Sequence, residues 1–334
     1  MLRRRAALGA LTALGAGLFG SRQGVFTPAT GLAQAGGYPT HPVRYIVPFT
    51  PAGLTDIMAR LVAQKLGDAW GKPVVVDNRA GGNAMIGADA AAKAPADGHT
   101  LLAITLTHAV NVGLFPQAPY NLLRDFRMVS VLGSLPLVVV VPEASPIRSL
   151  GELMARAKTQ PLNGGSSGNG SPPHLGLELV RRVAGAGANL VHVPYRGGAP
   201  GVTDLVAGNL QLMVSNLPEC IGQIKGGRLR ALAITGAERS HQVPEVPTVR
   251  ELGFAGLEIT NWTAMLTNAG VPGPVFDRIE QATLAAMRDP DLRRRAVDGG
   301  FDVLGWDADR SRSFLEAEVT RWSRLVQEAG IKAD

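Results

Sequence analysis

Between residues 43 and 105 the chain alternates short β-branched runs with amphipathic stretches, and that alternation limits its fold more than any other feature. Val43 to Phe49 is apolar and β-branched, and Thr50-Pro51-Ala52-Gly53 breaks it. Asp56 to Trp70 follows, with Ile57, Met58, Leu61, Val62, Leu66 and Trp70 on one helical stripe. Val74 to Val76 reads as a short buried strand. Ala84 to Lys93 reads as an alanine-rich helix stopped by Pro95 and Gly98, and Thr100 to Thr105 as another strand. The order β-α-β-α-β predicts a parallel sheet with right-handed crossovers.

Met128 to Leu132 and Leu137 to Val141 add strands, with Pro136 between them. A second alternating series follows Pro142. Ser149 and Glu152 have capping-box spacing and open a helix to Lys158. Helices are expected at Leu175–Val183, Gly201–Ala207 and Ile221–Lys225, and strands at Leu190–Val193, Leu210–Val214 and Leu229–Thr235. The C-terminal part is helical over Phe276–Arg288, Asp291–Asp298 and Ser311–Ala329. Two α/β series joined by extended links near 135–142 and 257–263 suggest a hinged clamshell. One lobe would take 36–138 plus 258–334 and the other 139–257. A single large α/β sheet is the alternative.

Residues 1–35 read as an address rather than a domain. Arg3, Arg4 and Arg5 precede an uncharged apolar run from Ala6 to Phe19, and Ala33-Gln34-Ala35 has the small-residue spacing of a cleavage site. That is the pattern of a secretory signal peptide. Sec export to the periplasm is expected, and the arginine pair also permits the twin-arginine route. An uncleaved anchor is the second reading, but the run is short of the ~20 residues a bilayer span needs. No later stretch is long and apolar enough to span, so the mature chain is expected to be soluble.

The overall charge is +6, from 33 Lys and Arg against 27 Asp and Glu. Cleavage after Ala35 removes Arg3, Arg4, Arg5 and Arg22 but no acid, leaving 29 against 27, or +2. With no basic–aromatic stripe, a nucleic-acid partner is not expected. Cys220 is the only cysteine, which excludes an internal disulfide framework and a cysteine-built zinc site. It is expected to be buried and inert. None of His41, His99, His108, His174, His192 and His241 pairs at i,i+4 or in H-x-H spacing, so no metal is expected. Gly81-Gly82-Asn83-Ala84-Met85-Ile86-Gly87 lacks dinucleotide spacing, and there is no phosphate-loop lysine pattern.

Ligands of open α/β sheets sit at the carboxyl ends of strands. Two loops there look like anion cradles. Pro48 to Asp56 joins the first strand to the first helix, where small residues and helix N-terminal amides suit a carboxylate. Asp56 either caps that helix or faces the cleft. Ser166-Ser167-Gly168-Asn169-Gly170-Ser171-Pro172-Pro173-His174 is its counterpart, with hydroxyls and amides just before a helix. A flexible surface loop is the plain alternative. Gly164-Gly165-Ser166-Ser167-Gly168 also fits the hydrolase pattern G-x-S-x-G. That pattern needs a strong strand directly before it, and Thr159-Gln160-Pro161-Leu162-Asn163 is a poor one. A secreted serine hydrolase using Ser166 stays as an alternative. His192 and His241 read more simply as structural.

Several motifs in order resemble the Bug family, the extracytoplasmic solute receptors of tripartite tricarboxylate transporters. Pro48-Phe49-x-Pro51-x-Gly53-x-x-Asp56 is similar to that family's first-lobe loop. Asp77-Asn78-Arg79-Ala80-Gly81-Gly82 resembles E-N-R-P-G-A/G, and Lys93-Ala94-Pro95-Ala96-Asp97-Gly98-His99-Thr100-Leu101-Leu102 resembles K-A-x-P-D-G-Y-T-L-L. Ser166 to Ser171 with His174-Leu175 matches S-S-G-x-G-S-x-x-H-L, and His192 to Gly197 matches H-V-P-Y-K/R-G. Leu229 to Ala233 and Val246-Pro247-Thr248 also fit, so the resemblance covers about residues 38–331.

The resemblance implies a type II periplasmic-binding clamshell, mostly parallel sheets flanked by helices with a two-strand hinge. It implies a small organic carboxylate held between the lobes, with no catalytic machinery and no cofactor. It implies a monomer serving membrane permease subunits, with a sensor partner as the other use of such a receptor. Phe49, Ala52, Gly53 and Asp56 are implied as ligand-binding residues of the first loop, with Thr105 and Thr107. Ser166, Ser167 and Ser171 are implied from the second lobe, and Tyr195 and Asn216 on the far wall. This chain departs from the family pattern in three places. Ala52-Gly53 stands where relatives usually have Gly-Gly, Leu54 and Leu106 occupy positions often small or polar, and Asn216 stands near where many carry Asp.

Overall fold

Strand β1 (Val43–Val47) buries Val43, Tyr45, Ile46 and Val47, with only Arg44 part-exposed, because both its faces are covered. It pairs in parallel with β2 (Val74–Asn78) on one side and β3 (Thr100–Thr105) on the other. These coordinates are a computed structural model, which describes residues 37–185, 188–195 and 197–331. The signal-peptide expectation for residues 1–35 lies outside the described residues. Among the described residues no helix is long and apolar enough to cross a membrane.

Helix α1 (Leu54–Trp70) buries Met58, Leu61, Val62 and Leu66 against the sheet and ends on Gly71, whose positive φ of 62° turns the chain. Ile57, on the stripe read from the sequence, is instead 37% exposed. Helix α2 (Met85–Ala92) crosses from β2 to β3, and α3 (Leu106–Leu114) follows β3 directly. The sequence reading had no helix at α3. Seven of its nine residues are buried, polar Thr107, His108 and Asn111 among them, so polar and apolar residues do not separate onto two faces.

The expected pair of strands around Pro136 is one strand, β4 (Phe126–Pro142). A proline removes one ladder donor, and β4 places it where the strand changes partners. Pro136 is the last residue paired with β9 (Thr260–Asn268), and Leu137 is the first paired with β7 (Leu212–Asn216). Strand β9 was read as a short link. Seven of its nine residues are buried, and both faces are covered, so a period of two is missing.

After β4, helix α4 (Leu150–Thr159) is capped by Ser149, whose Oγ accepts from the Glu152 amide at 3.2 Å. Strand β5 (Leu162–Ser166) runs through a segment judged poor for a strand. The reason is close packing. A β-carbon on Gly164 would lie 2.5 Å from Leu177 Cδ1, and one on Gly165 would lie 2.6 Å from Leu210 Cδ1. Glycine is needed there to let neighbours reach the backbone. The remaining elements are α5 (Pro172–Ala184), β6 (Leu190–Pro194), α6 (Gly198–Val206), α7 (Leu217–Lys225) after β7, and β8 (Leu229–Ile234). Helices α8 (Gly273–Arg288) and α9 (Pro290–Asp298), strand β10 (Asp302–Val303) and helix α10 (Ala308–Ala329) close the chain.

The result is the α/β fold the sequence implies, with two sheets sharing β4 and flanked by helices. Strands β2-β1-β3 and β7-β5-β6 pair in parallel on the outside, while β9 and β4 are antiparallel at the centre. Where the chain crosses between sheets, the Thr235 amide donates to the Leu137 carbonyl at 2.9 Å and its hydroxyl to the Ile259 carbonyl at 2.6 Å. Behind β9, the Glu318 carboxylate accepts from both the Trp262 and Trp322 indoles, at 2.8 and 3.0 Å. Cys220 is buried and free, and burial pushes its thiol up to about 12.

Candidate functional site

The parallel strands β1, β3, β5, β6 and β7 end in the loops that carry every candidate ligand residue. In the loop after β1, Ala52 has a φ of 63°, a conformation that disfavours a β-carbon. Its amide donates to Asp56 Oδ2 at 3.0 Å. Arg60 meets the same carboxylate with Nε at 2.8 Å and its terminal nitrogen at 3.0 Å, and Asn78 Nδ2 donates to Asp56 Oδ1 at 2.9 Å. Asn78 also donates to the Phe49 carbonyl at 3.1 Å. Burial raises the Asp56 pKa, but hydrogen bonds from Arg60, Asn78 and the Ala52 amide outweigh it and hold the carboxyl below its usual range. Asp56 is 2% exposed and spends its oxygens on these three partners. It holds Ala52 directly and Phe49 through Asn78. Gly53 opens α1 with no side-chain cap, leaving first-turn amides unpaired.

Thr105 ends β3 and caps α3. Its Oγ1 accepts from the Thr107 amide at 3.3 Å, and His108 Nδ1 accepts from the Thr105 amide at 3.1 Å. Burial pushes His108 down to about 3, so the ring is neutral and Nε2 carries the hydrogen. That Nε2 is buried without a partner, and the ring meets Phe49 edge-on with centroids 6.0 Å apart. The Thr107 side chain is nearly buried, and its hydroxyl makes no hydrogen bond among the described residues. The sequence reading missed His108; its only trace was the Thr-x-x-His spacing of a cap. It also missed Asn83 and Asn111, which hold each other through two 2.8 Å bonds. Asn83 and Ala84 have positive φ values of 52° and 69°.

Ser166 ends β5 with no exposed surface. Its Oγ lies 2.6 Å from His192 Nε2 and accepts from the Gly168 amide at 3.1 Å. The His192 ring stacks on His174 at 3.8 Å and 7°. Burial above all pushes His192 down to about 4. The Gly170 amide donates to His174 Nδ1 at 3.0 Å, and His174 Nε2 lies 3.6 Å from Glu178 Oε1. Ser171 caps α5 through the His174 amide at 3.3 Å and donates to the Gly168 carbonyl at 2.6 Å. Ser166 and His192 therefore stand like a nucleophile and base, but the hydroxyl is sealed from solvent. Among the described residues no carboxylate is hydrogen-bonded to His192 to orient it. The pair braces the loop. Ser167 is half-buried beside it, and its hydroxyl makes no hydrogen bond among the described residues.

Tyr195 lies next to this loop, its amide donating to the Ser166 carbonyl at 3.0 Å, but its hydroxyl is spent on Asp204 Oδ2 at 2.6 Å. Asn216 ends β7 and accepts from Asn261 Nδ2 at 3.1 Å, so it ties β7 to the start of β9. The two sets of loops meet at Gly170. A β-carbon there would lie 3.2 Å from Asn83 Nδ2 and 2.9 Å from Leu114 Cδ2. The turn after β5 thus rests on the loop after β2 and on the end of α3. Phe49, Ala52, Gly53, Thr105 and Thr107 lie on one side of this junction, and Ser166, Ser167 and Ser171 on the other. Tyr195 and Asn216 flank the second group through neighbouring strands.

A family model described as the tripartite tricarboxylate transporter family receptor matches residues 58–331. Protein BugT of Bordetella pertussis is 37% identical over 317 residues, covering 92% of this chain and 96% of that one. The structure described as R. palustris Rpa4515 with adipate superposes with a TM-score of 0.80 at 32% identity, covering 88% of this chain and 99% of the other. That of MatC from Rhodopseudomonas palustris with bound malate gives 0.77 at 28%, covering 86% and 100%.

Proposed function

The chain belongs to the tripartite tricarboxylate transporter receptor family, and from that premise we propose that it is a periplasmic receptor that closes on a small organic carboxylate. The observation that carries the reading is the meeting of Gly170 with Asn83 and Leu114. It brings loops from the carboxyl ends of both parallel strand sets to one cleft, where such folds take ligands. The lobes are 36–138 with 258–334, and 139–257. Closure is favoured because the ligand binds the closed arrangement more tightly than the open one.

The chemistry supports a carboxylate. The first-turn amides of α1 after Gly53, with the Ala52 backbone held by Asp56, make an electropositive cradle without a fixed cation. The Ser167 and Thr107 hydroxyls are free to donate from opposite sides. In this proposal Ser166, Ser171 and Thr105 position those groups, while Phe49, Tyr195 and Asn216 shape the walls. The malate and adipate of the two relatives suggest a dicarboxylic acid as the first class to try. The receptor is exported by residues 1–35, acts as a monomer and delivers its ligand to membrane permease subunits.

Thermal-shift screening of protein stripped by unfolding and refolding tests this directly. A panel of mono-, di- and tricarboxylates should contain at least one that raises the melting temperature with saturable dose dependence. A panel that leaves the melting temperature unchanged throughout would overturn the carboxylate reading.

A further inference from the structure

At the opposite ends of the strands from the ligand loops, Thr40-His41 approaches the turn Asp97-Gly98-His99 that precedes β3. The sequence spacing gave no hint of a metal, because the residues are far apart along the chain. The sheet brings them together: the Arg44 amide donates to the His99 carbonyl at 2.9 Å, and the Tyr38 hydroxyl to the Gly98 carbonyl at 2.7 Å. One ligand-competent atom from each of His41, Asp97 and His99 lies within 4.8 Å of the other two. We infer that these three side chains form a binding site for a borderline divalent cation of the zinc class.

The donor set fits that class. Two imidazoles and one carboxylate suit zinc, nickel or copper and disfavour magnesium and calcium, which take oxygen ligands. A second observation points the same way. The His99 side chain is only 10% exposed, and its Nδ1 is buried with no hydrogen-bond partner. It faces Asp97 Oδ1 at 3.4 Å, an oxygen already accepting the His99 amide at 2.8 Å. The Asp97 carboxylate keeps its other oxygen for a metal. The His41 and His99 rings lie face to face at 3.7 Å and 5°, so a tilt of the exposed His41 ring is needed for both to reach one ion. His41 Nδ1 is engaged by Thr40 Oγ1 at 3.0 Å, which leaves Nε2 for coordination.

Binding requires small, local adjustments. Tetrahedral ligands at zinc distances sit about 3.4 Å apart. His41 and Asp97 are both exposed, so a ring tilt and a carboxylate rotation close the gap. His99 Nε2 now accepts from the Thr40 amide at 3.1 Å, which puts the neutral ring's hydrogen on Nδ1. Coordination through Nδ1 moves that hydrogen to Nε2, where Thr40 Oγ1 at 3.4 Å accepts it and the exposed Thr40 amide turns to water. Water completes the coordination. The bound ion would staple the segment entering β1 to the turn entering β3, far from the carboxylate cleft.

The test uses tag-free protein, stripped with EDTA and desalted, titrated with zinc chloride by calorimetry and followed by thermal melting. Two variants accompany it: His41→Ala, at an exposed position, and His99→Tyr, which restores the residue of the resembling family pattern. The wild type should bind one equivalent of zinc and melt a few degrees higher in zinc but not in magnesium. Both variants should bind zinc at least about tenfold more weakly and lose the shift. Carboxylate binding should be unchanged in all three. No zinc heat or shift in the wild type would overturn the inference, as would the same isotherm in all three proteins.

Discussion

The Ala52 amide donates to the Asp56 carboxylate at 3.0 Å while Ala52 itself sits at a φ of 63°. A backbone conformation unfavourable to alanine is thus held by an acidic side chain four residues later, at the mouth of the cleft.

Removing that anchor should loosen the loop. Asp56→Ala leaves the Ala52 amide, Asn78 and Arg60 without their acceptor and should cost about 2 kcal/mol. Ala52→Gly should be near neutral, since the strain relieved (about 1 kcal/mol) is offset by the greater freedom of unfolded glycine. Because the folded Asp56 pKa is lowered, its contribution is present above the unfolded value and is lost as pH falls through the folded one. Urea denaturation from pH 7 to 3 should therefore show less acid sensitivity in Asp56→Asn than in the wild type. Equal slopes would sink this account.

Gly170 tests closure at the junction of the two loop sets. Gly170→Val places its β-carbon against Leu114 and Asn83 and also strains a backbone at φ 69°, a cost shared by open and closed forms that a ligand-free melt of the variant measures. If that clash adds about 2 kcal/mol to the closed state alone, the best-binding carboxylate of a panel should bind about 30-fold more weakly. Small-angle scattering should find the variant more expanded than the wild type with that ligand present. An unaltered Kd would mean that the contact is not part of the bound state.

Ser167 separates binding from folding. Its hydroxyl makes no hydrogen bond among the described residues, so Ser167→Ala should leave the ligand-free melting temperature unchanged. The same variant should weaken carboxylate binding by about 1 kcal/mol, or roughly fivefold. Ser167→Phe should abolish binding by filling the cradle. Calorimetry on both variants, with circular dichroism melts as the folding control, decides the matter.

His108 should leave a mark on the pH dependence of stability. Burial lowers its folded value from 6.5 to about 3. The unfolded chain therefore takes up a proton below 6.5 that the folded protein refuses, and stability falls as pH drops from there towards 3. His108→Gln keeps an acceptor for the Thr105 amide without a titrating ring. Its unfolding free energy should change less than that of the wild type between pH 7 and 5. A slope as steep as the wild type's would count against a buried neutral His108.

How much of this was legible before the structure depends on the element. The β1–α1–β2–α2–β3 series could be read because α1 is amphipathic, α2 is rich in alanine and the strands are bounded by Pro and Gly. Helix α3 and strand β9 could not, because both are covered almost completely and so lose the contrast between faces. Strand β5 was hidden for the opposite reason. Its glycines look like a loop, and only the approach of Leu177 and Leu210 explains them. In the candidate site, the two cradle loops were visible as small-residue and hydroxyl runs before helices. Their internal division was not. Asp56, Ser166 and Tyr195 spend their polar atoms on Arg60, His192 and Asp204, whereas the Ser167 and Thr107 hydroxyls have no hydrogen-bond partner among the described residues.

The sequence by itself determined the α/β alternation, the cradle loops and, through ordered motifs, the family. These are local properties, carried by periodicity, turn residues and neighbours within a few positions. The tertiary structure alone decided that β4 runs through Pro136 into both sheets, and that Gly170 comes to rest on Asn83. It also decided that His41 meets Asp97 and His99. Each of these depends on strand register, and register is set by which distant segments bury one another's apolar faces, something no local window of the chain contains.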